Sequence, residues 1–304
     1  MSFNLVIGSR GSKLAIEQSN IVKDVILKKT SNINVSIKII KTKGDILLEK
    51  SVQHLVDKGF FVNEIQKELI SNKIDISVHS LKDLPTKKEK NISISSILKR
   101  ENPRDVFISK DNLNPYQMPD GSVIATSSNR RKYQLLKINS TFNIIEIRGN
   151  VDTRIKKLKS GYCDALVLAY AGIKRLNMTN LISHIFNFEE MLPAAGQGAI
   201  AIESRSDDDL IIQIVKNINC AITHKCVSIE RKILEKLGLG CNAPIAINVT
   251  IEDNIVKLKL MIFSIFHMKD INICIEKDVS EINNLVKETL SKLNLMDYKK
   301  ILDE

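Results

Sequence analysis

The chain has 304 residues, of which 43% are hydrophobic and 26% charged, a composition typical of a soluble globular protein. This length predicts two or three domains, and no apolar run approaches the roughly 18 residues that a membrane span needs. The net charge of +10 suggests nucleic acid as a partner, but the lysines are scattered and there are only five Tyr and no Trp for base stacking. We therefore expect neither a membrane nor a nucleic-acid partner.

The cysteines and the N-terminus indicate the compartment. None of the five cysteines forms a C-x-x-C pair, which argues against a zinc site or a disulfide framework and predicts reduced thiols. The segment Met1–Gly8 runs into a predicted strand without the basic region or cleavage site of a signal peptide. We expect a cytoplasmic protein without a metal.

Strands and helices alternate along the first hundred residues, a pattern typical of an α/β sheet covered by helices. The predicted elements are a strand at 5–7, a helix at 14–29, a strand at 35–40, a helix at 61–70 and a strand at 74–78. Residues 122–203 repeat this pattern. Their predicted strands lie at 123–126, 144–147, 165–169 and 199–202.

The pattern changes after residue 219, where a helix, three strands and a final helix predict a small α+β domain. Polar segments at 99–105 and 191–198 suit crossovers between two α/β lobes, which suggests a hinged clamp around a ligand. The predicted domains are domain 1 at 1–99 and 199–218, domain 2 at 104–193, and domain 3 at 219–304.

A polar turn, Val78–Pro85, follows the predicted strand at 74–78. Open α/β sheets bind ligands beyond the carboxyl ends of their strands, so this turn is a candidate site. The alternative is a helix cap, since Ser80 followed by Asp83 resembles a capping box.

Three turns with arginine follow predicted strands, at Ser9–Ser12, Ser127–Arg131 and Arg148–Arg154. Helix N-termini and guanidinium groups both bind anions, so the three turns together predict a small polyanionic ligand. Each turn taken alone could instead be a charged helix cap. No dinucleotide-binding or Walker-type motif occurs, so a nucleotide cofactor is poorly supported.

Five segments, taken in order, resemble the porphobilinogen deaminase (hydroxymethylbilane synthase) family. They are Val78–Pro85, Thr126–Arg131, Ile147–Arg154, Leu192–Gly198 and Gly240–Ile245. The resemblance implies a monomeric transferase of tetrapyrrole and haem biosynthesis. Such an enzyme joins four porphobilinogen molecules head to tail with release of ammonia, and then hydrolyses off hydroxymethylbilane. The resemblance also implies two lobes like those of periplasmic binding proteins and a small α+β C-terminal domain.

The same resemblance assigns the site residues. Asp83 is the catalytic carboxylate, and Cys241 holds a dipyrromethane cofactor through a covalent thioether. Further cofactor-binding residues are Lys82, Ser128, Arg130, Arg131 and Asp45. Substrate-binding residues are Arg10, Ser12, Arg148, Arg154, Arg175 and Phe61. His79 is expected to support the turn that carries Asp83, and direct proton transfer is the alternative role.

The chain departs from the family pattern in three places. Leu239 replaces a glycine two residues before Cys241, Ala243 replaces a β-branched residue, and the lid at 54–59 is less glycine-rich and less basic. A solute-binding protein that uses the same lobes without chemistry is the alternative function. It would require export, and it would have no use for Cys241 or a third domain.

Overall fold

A computed structural model of the chain describes residues 3–45, 61–86, 89–239 and 243–303. The chain forms two compact units, one of Met1–Glu101 with Gly198–His224 and one of Asn102–Gln197 with Lys225–Glu304. Within the described ranges, no helix is both long and apolar enough to cross a bilayer.

The first unit is built on a mixed five-stranded sheet of order β2-β1-β3-β10-β4. Its strands are β1 (Phe3–Ser9), β2 (Ile33–Ile39), β3 (Ile76–Ser80), β4 (Ile92–Ile97) and β10 (Ile200–Arg205). Strand β1 is parallel to β2 and β3, whereas β10 is antiparallel to β3 and β4. The described helices are α1 (Lys13–Lys29), α2 (Asn63–Ile70) and α6 (Asp209–Lys216).

Local chemistry explains where α1 begins and ends. The Ser12 hydroxyl accepts a hydrogen bond from the Ala15 N–H, which caps the helix N-terminus. Lys28 and Lys29 lie in the last turn, where positive charge complements the helix dipole. The helix buries Val22 and Ile26 against the apolar face of the sheet, which fixes the loop between β1 and α1 above the sheet edge.

The second unit contains a sheet with the same arrangement, of order β7-β6-β8-β5-β9. Its strands are β5 (Asp105–Ser109), β6 (Val123–Ala125), β7 (Asn143–Ile145), β8 (Ala165–Ala169) and β9 (His184–Ile185). Strand β6 is parallel to β7 and β8, and β5 is antiparallel to β8 and β9. The helices are α3 (Asn129–Ile138), α4 (Val151–Lys159) and α5 (Tyr170–Arg175).

The C-terminal part of the second unit is a three-stranded antiparallel sheet, β11-β12-β13. Its elements are β11 (Ile245–Glu252), β12 (Ile255–Ser264), β13 (Lys269–Asp278), α8 (Ile282–Leu295) and α9 (Tyr298–Asp303). Helix α7 (Ala221–Lys236) contributes Ile229 and Ile233 to the same core. The Tyr133 hydroxyl on α3 donates to Asp270 Oδ2 at 2.7 Å, which joins α3 to β13.

The predicted fold class is confirmed, since the described chain is a mixed α/β protein with two similar five-stranded sheets and a small C-terminal sheet domain. Strand β7 is shorter than predicted, because it ends at Ile145 rather than at residue 147. Helix α2 begins at Asn63 rather than at Phe61. The division into three domains stays a prediction.

Candidate active site

In the first unit, the candidate residues follow the carboxyl ends of the three parallel strands. Arg10 and Ser12 follow β1, Asp45 lies beyond the end of β2, and Lys82 and Asp83 follow β3. Parallel strands end at one edge of a sheet, and open α/β sheets bind their ligands there. The topology therefore brings these five residues to the same edge of one sheet.

The turn that carries Asp83 is a short 3₁₀ helix, Leu81–Asp83. The Leu81 N–H donates to the Ala199 carbonyl at 3.0 Å, and the Leu84 N–H donates to the Leu81 carbonyl at 3.1 Å. Leu81 and Leu84 are buried, whereas Lys82 and Asp83 are partly exposed. The two leucines anchor the turn, which holds the partly exposed Lys82 and Asp83 at the end of β3.

Arg10, Asp45 and Phe61 form a second cluster at this edge. Arg10 Nη2 lies 2.5 Å from Asp45 Oδ1, and its guanidinium carbon lies 4.2 Å from the centroid of the Phe61 ring. Burial raises the pKa of Asp45, but hydrogen bonds from Arg10 and Thr42 outweigh burial and hold this pKa below its usual value. The carboxyl is therefore ionised at neutral pH, and the stacked guanidinium is partly exposed.

In the second unit, Arg130 and Arg131 lie in the first turn of α3 and point into the protein. Arg130 Nη1 donates to Asp105 Oδ2 at 2.7 Å, and Arg131 Nη2 donates to Asp105 Oδ1 at 2.7 Å. Arg131 Nη1 also donates to the Val167 carbonyl at 2.9 Å. Both arginines are thus held in place by one fully buried carboxylate.

Asp105 lies at the end of a polar crossover segment, and the sequence around it does not predict a functional role. Gln197 is a second such residue: its amide donates to Asp105 Oδ1 at 3.0 Å and to the Pro103 carbonyl at 2.7 Å. The sequence signal that could identify Asp105 is the position of its carboxylate directly before the apolar run of β5. We define Asp105, Arg130, Arg131 and Gln197 as the buried arginine cluster.

The buried arginine cluster has two guanidinium groups for one carboxylate, so its side chains carry an excess positive charge. Burial lowers the pKa of Arg130, Asp105 opposes this effect and Arg131 adds to it. A negative group near α3 would relieve the excess charge, because opposite charges at short range favour the ionised form. The cluster therefore fits a cofactor that carries carboxylates.

The other arginine turn follows β7. The Ser127 hydroxyl donates to the Ile147 carbonyl at 2.8 Å and accepts from the Ile147 N–H at 3.1 Å, so the turns after β6 and β7 lie side by side. Arg148 is exposed, and its guanidinium lies 3.8 Å from Glu146. The Arg154 Nε donates to the Gly149 carbonyl at 2.8 Å.

The remaining predicted residues of this unit are Ser128 and Arg175. Ser128 precedes α3 and its N–H donates to Thr126 Oγ1 at 3.2 Å, while its hydroxyl makes no cap bond to the helix. Arg175 is the last residue of α5, which follows β8. Both residues are partly exposed. Ser128 lies at a helix start, as the sequence pattern predicts, whereas Arg175 ends its helix rather than starting it.

Cys241 and the lid at 54–59 lie outside the described residues. The sequence around Cys241 is flanked by α7 and β11, which pack in one hydrophobic core. Leu239 and Ala243, the two departures from the family pattern in this loop, are partly buried and pack against that core. Both substitutions are thus accommodated by apolar contacts.

The sequence matches the family described as "Porphobilinogen deaminase, dipyromethane cofactor binding domain" over residues 5–213. The chain belongs to the porphobilinogen deaminase family. It is 41% identical to the porphobilinogen deaminase of Chloroherpeton thalassium over 82% of this chain and 79% of that protein. It is 43% identical to that of Chlorobaculum tepidum, over 81% of this chain and 78% of that protein.

Among solved structures, the chain is similar to the methionine-binding protein MetQ, with a TM-score of 0.45 and 11% identity over 75% of this chain and 94% of that protein. A likeness this weak supports no conclusion. The family match includes the Asp83 turn, the arginine turns and the buried arginine cluster, since all of them lie within residues 5–213.

Proposed function

We propose that the chain is a hydroxymethylbilane synthase. It joins four porphobilinogen molecules head to tail, releases ammonia at each addition and frees the linear tetrapyrrole by hydrolysis. The observation that supports this function best is the family match over residues 5–213. The placement of the family's residues beyond the carboxyl ends of parallel strands agrees with it.

Asp83 is the proposed catalytic carboxylate. Loss of ammonia from porphobilinogen leaves a cationic carbon, and the next carbon–carbon bond leaves positive charge on a pyrrole nitrogen. A fixed carboxylate stabilises both cations and accepts a hydrogen bond from the pyrrole N–H. The anchored 3₁₀ turn supplies a carboxylate of this kind, because its leucines are buried while Asp83 is partly exposed.

The arginines are proposed to bind the acidic side chains of the substrate. Each porphobilinogen carries an acetate and a propionate, and a guanidinium group binds a carboxylate through two parallel hydrogen bonds. Ser12 and four arginines have this proposed role, whereas Phe61 is proposed to bind the substrate by stacking. The four arginines are Arg10, Arg148, Arg154 and Arg175.

A covalent dipyrromethane on Cys241 is the proposed cofactor, and when bound it supplies the pyrrole to which the first substrate is added. Lys82, Asp45 and Ser128 would contact it, and Arg130 and Arg131 of the buried arginine cluster would supply positive charge near its acidic groups. The excess positive charge of that cluster supports this assignment. We further propose a cytoplasmic monomer whose function requires no metal, membrane or nucleic acid.

The first test is the intact mass of the purified chain beside a Cys241→Ser variant. We expect a mass excess equal to two linked pyrrole units in the first protein and none in the variant. An unmodified mass that persists after incubation with porphobilinogen would contradict the proposed function. Scattered modification of both proteins would contradict Cys241 as the attachment point.

The second test is ammonia release from porphobilinogen by an Asp83→Asn variant. The amide keeps the size of the side chain but lacks the charge that stabilises cations, so we expect a folded, cofactor-loaded protein with nearly all turnover lost. Turnover near the wild-type rate would refute the catalytic role of Asp83. Asp24→Asn is a matched control, because that carboxylate is exposed on α1.

A further inference from the structure

A buried carboxylate lies behind the strand that leads to Asp83, and the chemistry described so far does not use it. Glu203 belongs to β10 and is 5% exposed. In the antiparallel register, Glu203 pairs with Ser77 and Ala201 pairs with His79, so the carboxylate lies beside the last residues of β3. Burying a carboxylate is costly unless other groups compensate its charge.

Three side chains compensate Glu203. His79 Nε2 lies 3.2 Å from Oε2, although its direction falls outside hydrogen-bond geometry. Gln66 Nε2 donates to Oε1 at 3.0 Å, and the Ser77 hydroxyl donates to Oε2 at 3.2 Å. Burial raises the pKa of Glu203, but these three neighbours outweigh burial, so the carboxyl stays ionised at neutral pH.

These contacts join the elements that carry two of the proposed functional residues. His79 is four residues before Asp83, and Gln66 belongs to α2, which begins two residues after Phe61. One carboxylate therefore connects β10 with both the strand that ends at the catalytic turn and the helix that follows the aromatic residue.

The opposite face of β3 is also fixed. Gln18 Nε2 on α1 donates to the Ser80 hydroxyl at 2.8 Å. Side chains alternate between the faces of a strand, so His79 and Ser80 hold the strand end from its two sides. The Leu81 N–H bond to the Ala199 carbonyl then fixes the start of the turn.

We propose that Glu203 is a positioning residue, which acts through His79 to hold the Lys82–Asp83 turn in its reactive geometry. This inference rests on the proposed function, because it assigns a role within the same reaction. A fixed geometry matters because a displacement of about 1 Å at a reacting group lowers turnover by about 100-fold.

Glu203→Gln tests the proposal in the full, cofactor-loaded chain. Glutamine has one acceptor oxygen and an NH₂ group, so it cannot accept at both positions where Gln66 and Ser77 donate, and the negative charge beside His79 is lost. We expect kcat to fall about 10- to 100-fold while KM changes less than about 3-fold, with cofactor mass and fold retained. Unchanged kcat, or a loss confined to KM, would overturn the proposal.

Asp75→Asn is the matched control. Asp75 lies just before the opposite end of β3, and its carboxylate accepts the Val6 N–H at 2.7 Å. We expect this variant to keep wild-type kcat, because it leaves the strand end near Asp83 intact. An equal loss of kcat in both variants would mean that β3 is only weakened as a whole, and the proposal would fail.

His79→Gln provides a second route if Glu203→Gln does not fold. It removes the imidazole and leaves Gln66 and Ser77 to compensate the carboxylate, and we expect a similar loss of kcat. Where both single variants fold, the double variant should lose no more kcat than the worse single one, because the two residues act as one unit. Full kcat in His79→Gln, or losses that multiply, would contradict action through His79.

Amide hydrogen exchange separates this inference from the proposed function. The N–H groups of Leu81 and Leu84 should exchange about 10-fold faster in Glu203→Gln than in the wild type, because the turn opens more easily. Unchanged exchange would refute the positioning role even in a chain without activity. Ammonia release by the wild-type chain tests the proposed function separately.

Discussion

Two arginine–carboxylate sites in this protein use the same residue types under different solvation. In the Arg10–Asp45 pair the side chains are 21% and 17% exposed, with one guanidinium for one carboxylate. In the buried arginine cluster, the Arg130, Arg131 and Asp105 side chains are 5%, 8% and 0% exposed, with two guanidinium groups for one carboxylate.

This difference in burial gives the arginines of the two sites different roles. In a partly exposed pair a ligand can replace the carboxylate on the arginine, because water then solvates the carboxylate. A buried carboxylate cannot be released without leaving charges uncompensated, so Asp105 fixes Arg130 and Arg131 rather than competing with a ligand. We expect the Arg10 pair to contribute to binding, and the cluster to contribute to stability and local charge.

The strongest test of this comparison is Asp105→Asn. It leaves two buried guanidinium groups without a counter-charge, and breaking a buried ion pair on one side costs about 3–5 kcal/mol of unfolding free energy. Urea unfolding of the full chain, followed by circular dichroism, measures this loss. Asp45→Asn is the matched variant, with an expected loss of at most about 1 kcal/mol. Equal losses in the two variants would remove the distinction between the sites.

Replacing arginine by lysine should separate stability from binding. Arg131 donates from Nε and Nη2 to Asp105 and from Nη1 to the Val167 carbonyl. A lysine has one ammonium group and cannot reproduce this planar set of hydrogen bonds. We expect Arg131→Lys to lower the unfolding free energy by about 1–3 kcal/mol, the cost of leaving buried polar groups unpaired.

Arg10→Lys is the counterpart of Arg131→Lys. A lysine still pairs with the half-exposed Asp45, so the unfolding free energy should change by less than about 1 kcal/mol. The KM for porphobilinogen should rise, since a point charge replaces a bidentate group. If stability fell in Arg10→Lys while KM stayed constant, Arg10 would be a structural residue.

The positions of both sites could be predicted from the sequence, but their burial could not. A strand followed by small and polar residues predicts a turn at a sheet edge, and the turns after β1 and β6 lie there. Whether an arginine points outward depends on partners distant in the chain. Asp105 is 25 residues from Arg130, and nothing in local spacing connects them.

The roles of Asp105 and Glu203 could not be predicted from local spacing for the same reason. Asp105 directly precedes Val106, Phe107 and Ile108, and Glu203 directly follows the apolar start of β10. A carboxylate inside or beside a buried apolar strand must be compensated by partners, because unpaired burial is too costly. The sequences of both segments contain this pattern, but the residues that compensate each carboxylate are set by the tertiary fold.

Gly44→Ala tests the aromatic side of the exposed pair. A Cβ at Gly44 would lie 2.3 Å from Cε1 of Phe61, so the ring must move away from the Arg10 guanidinium. We expect a loss of about 0.5–1 kcal/mol in unfolding free energy, the usual strength of a cation–π contact at an exposed site. Gly11→Ala is the control, because its Cβ would come no closer than 3.3 Å to Ile39. Equal effects of the two variants would mean that the ring contact contributes nothing.

The smallest expected effect is the pH dependence of the stability that the Arg10–Asp45 pair contributes. The pKa of Asp45 is held below its ordinary value of 3.8, so the ionised carboxyl stabilises the fold above that pH. This stabilisation is lost as the pH falls through the lower, folded-state pKa. The gap in unfolding free energy between wild type and Asp45→Asn should therefore be at most about 1 kcal/mol at neutral pH and shrink as the pH falls below 3.8. A gap that stays constant over this range would mean that Asp45 stabilises the fold through its shape and not through its charge. The difference between the stabilising effects of Asp45 and Asp105 would then come from packing alone.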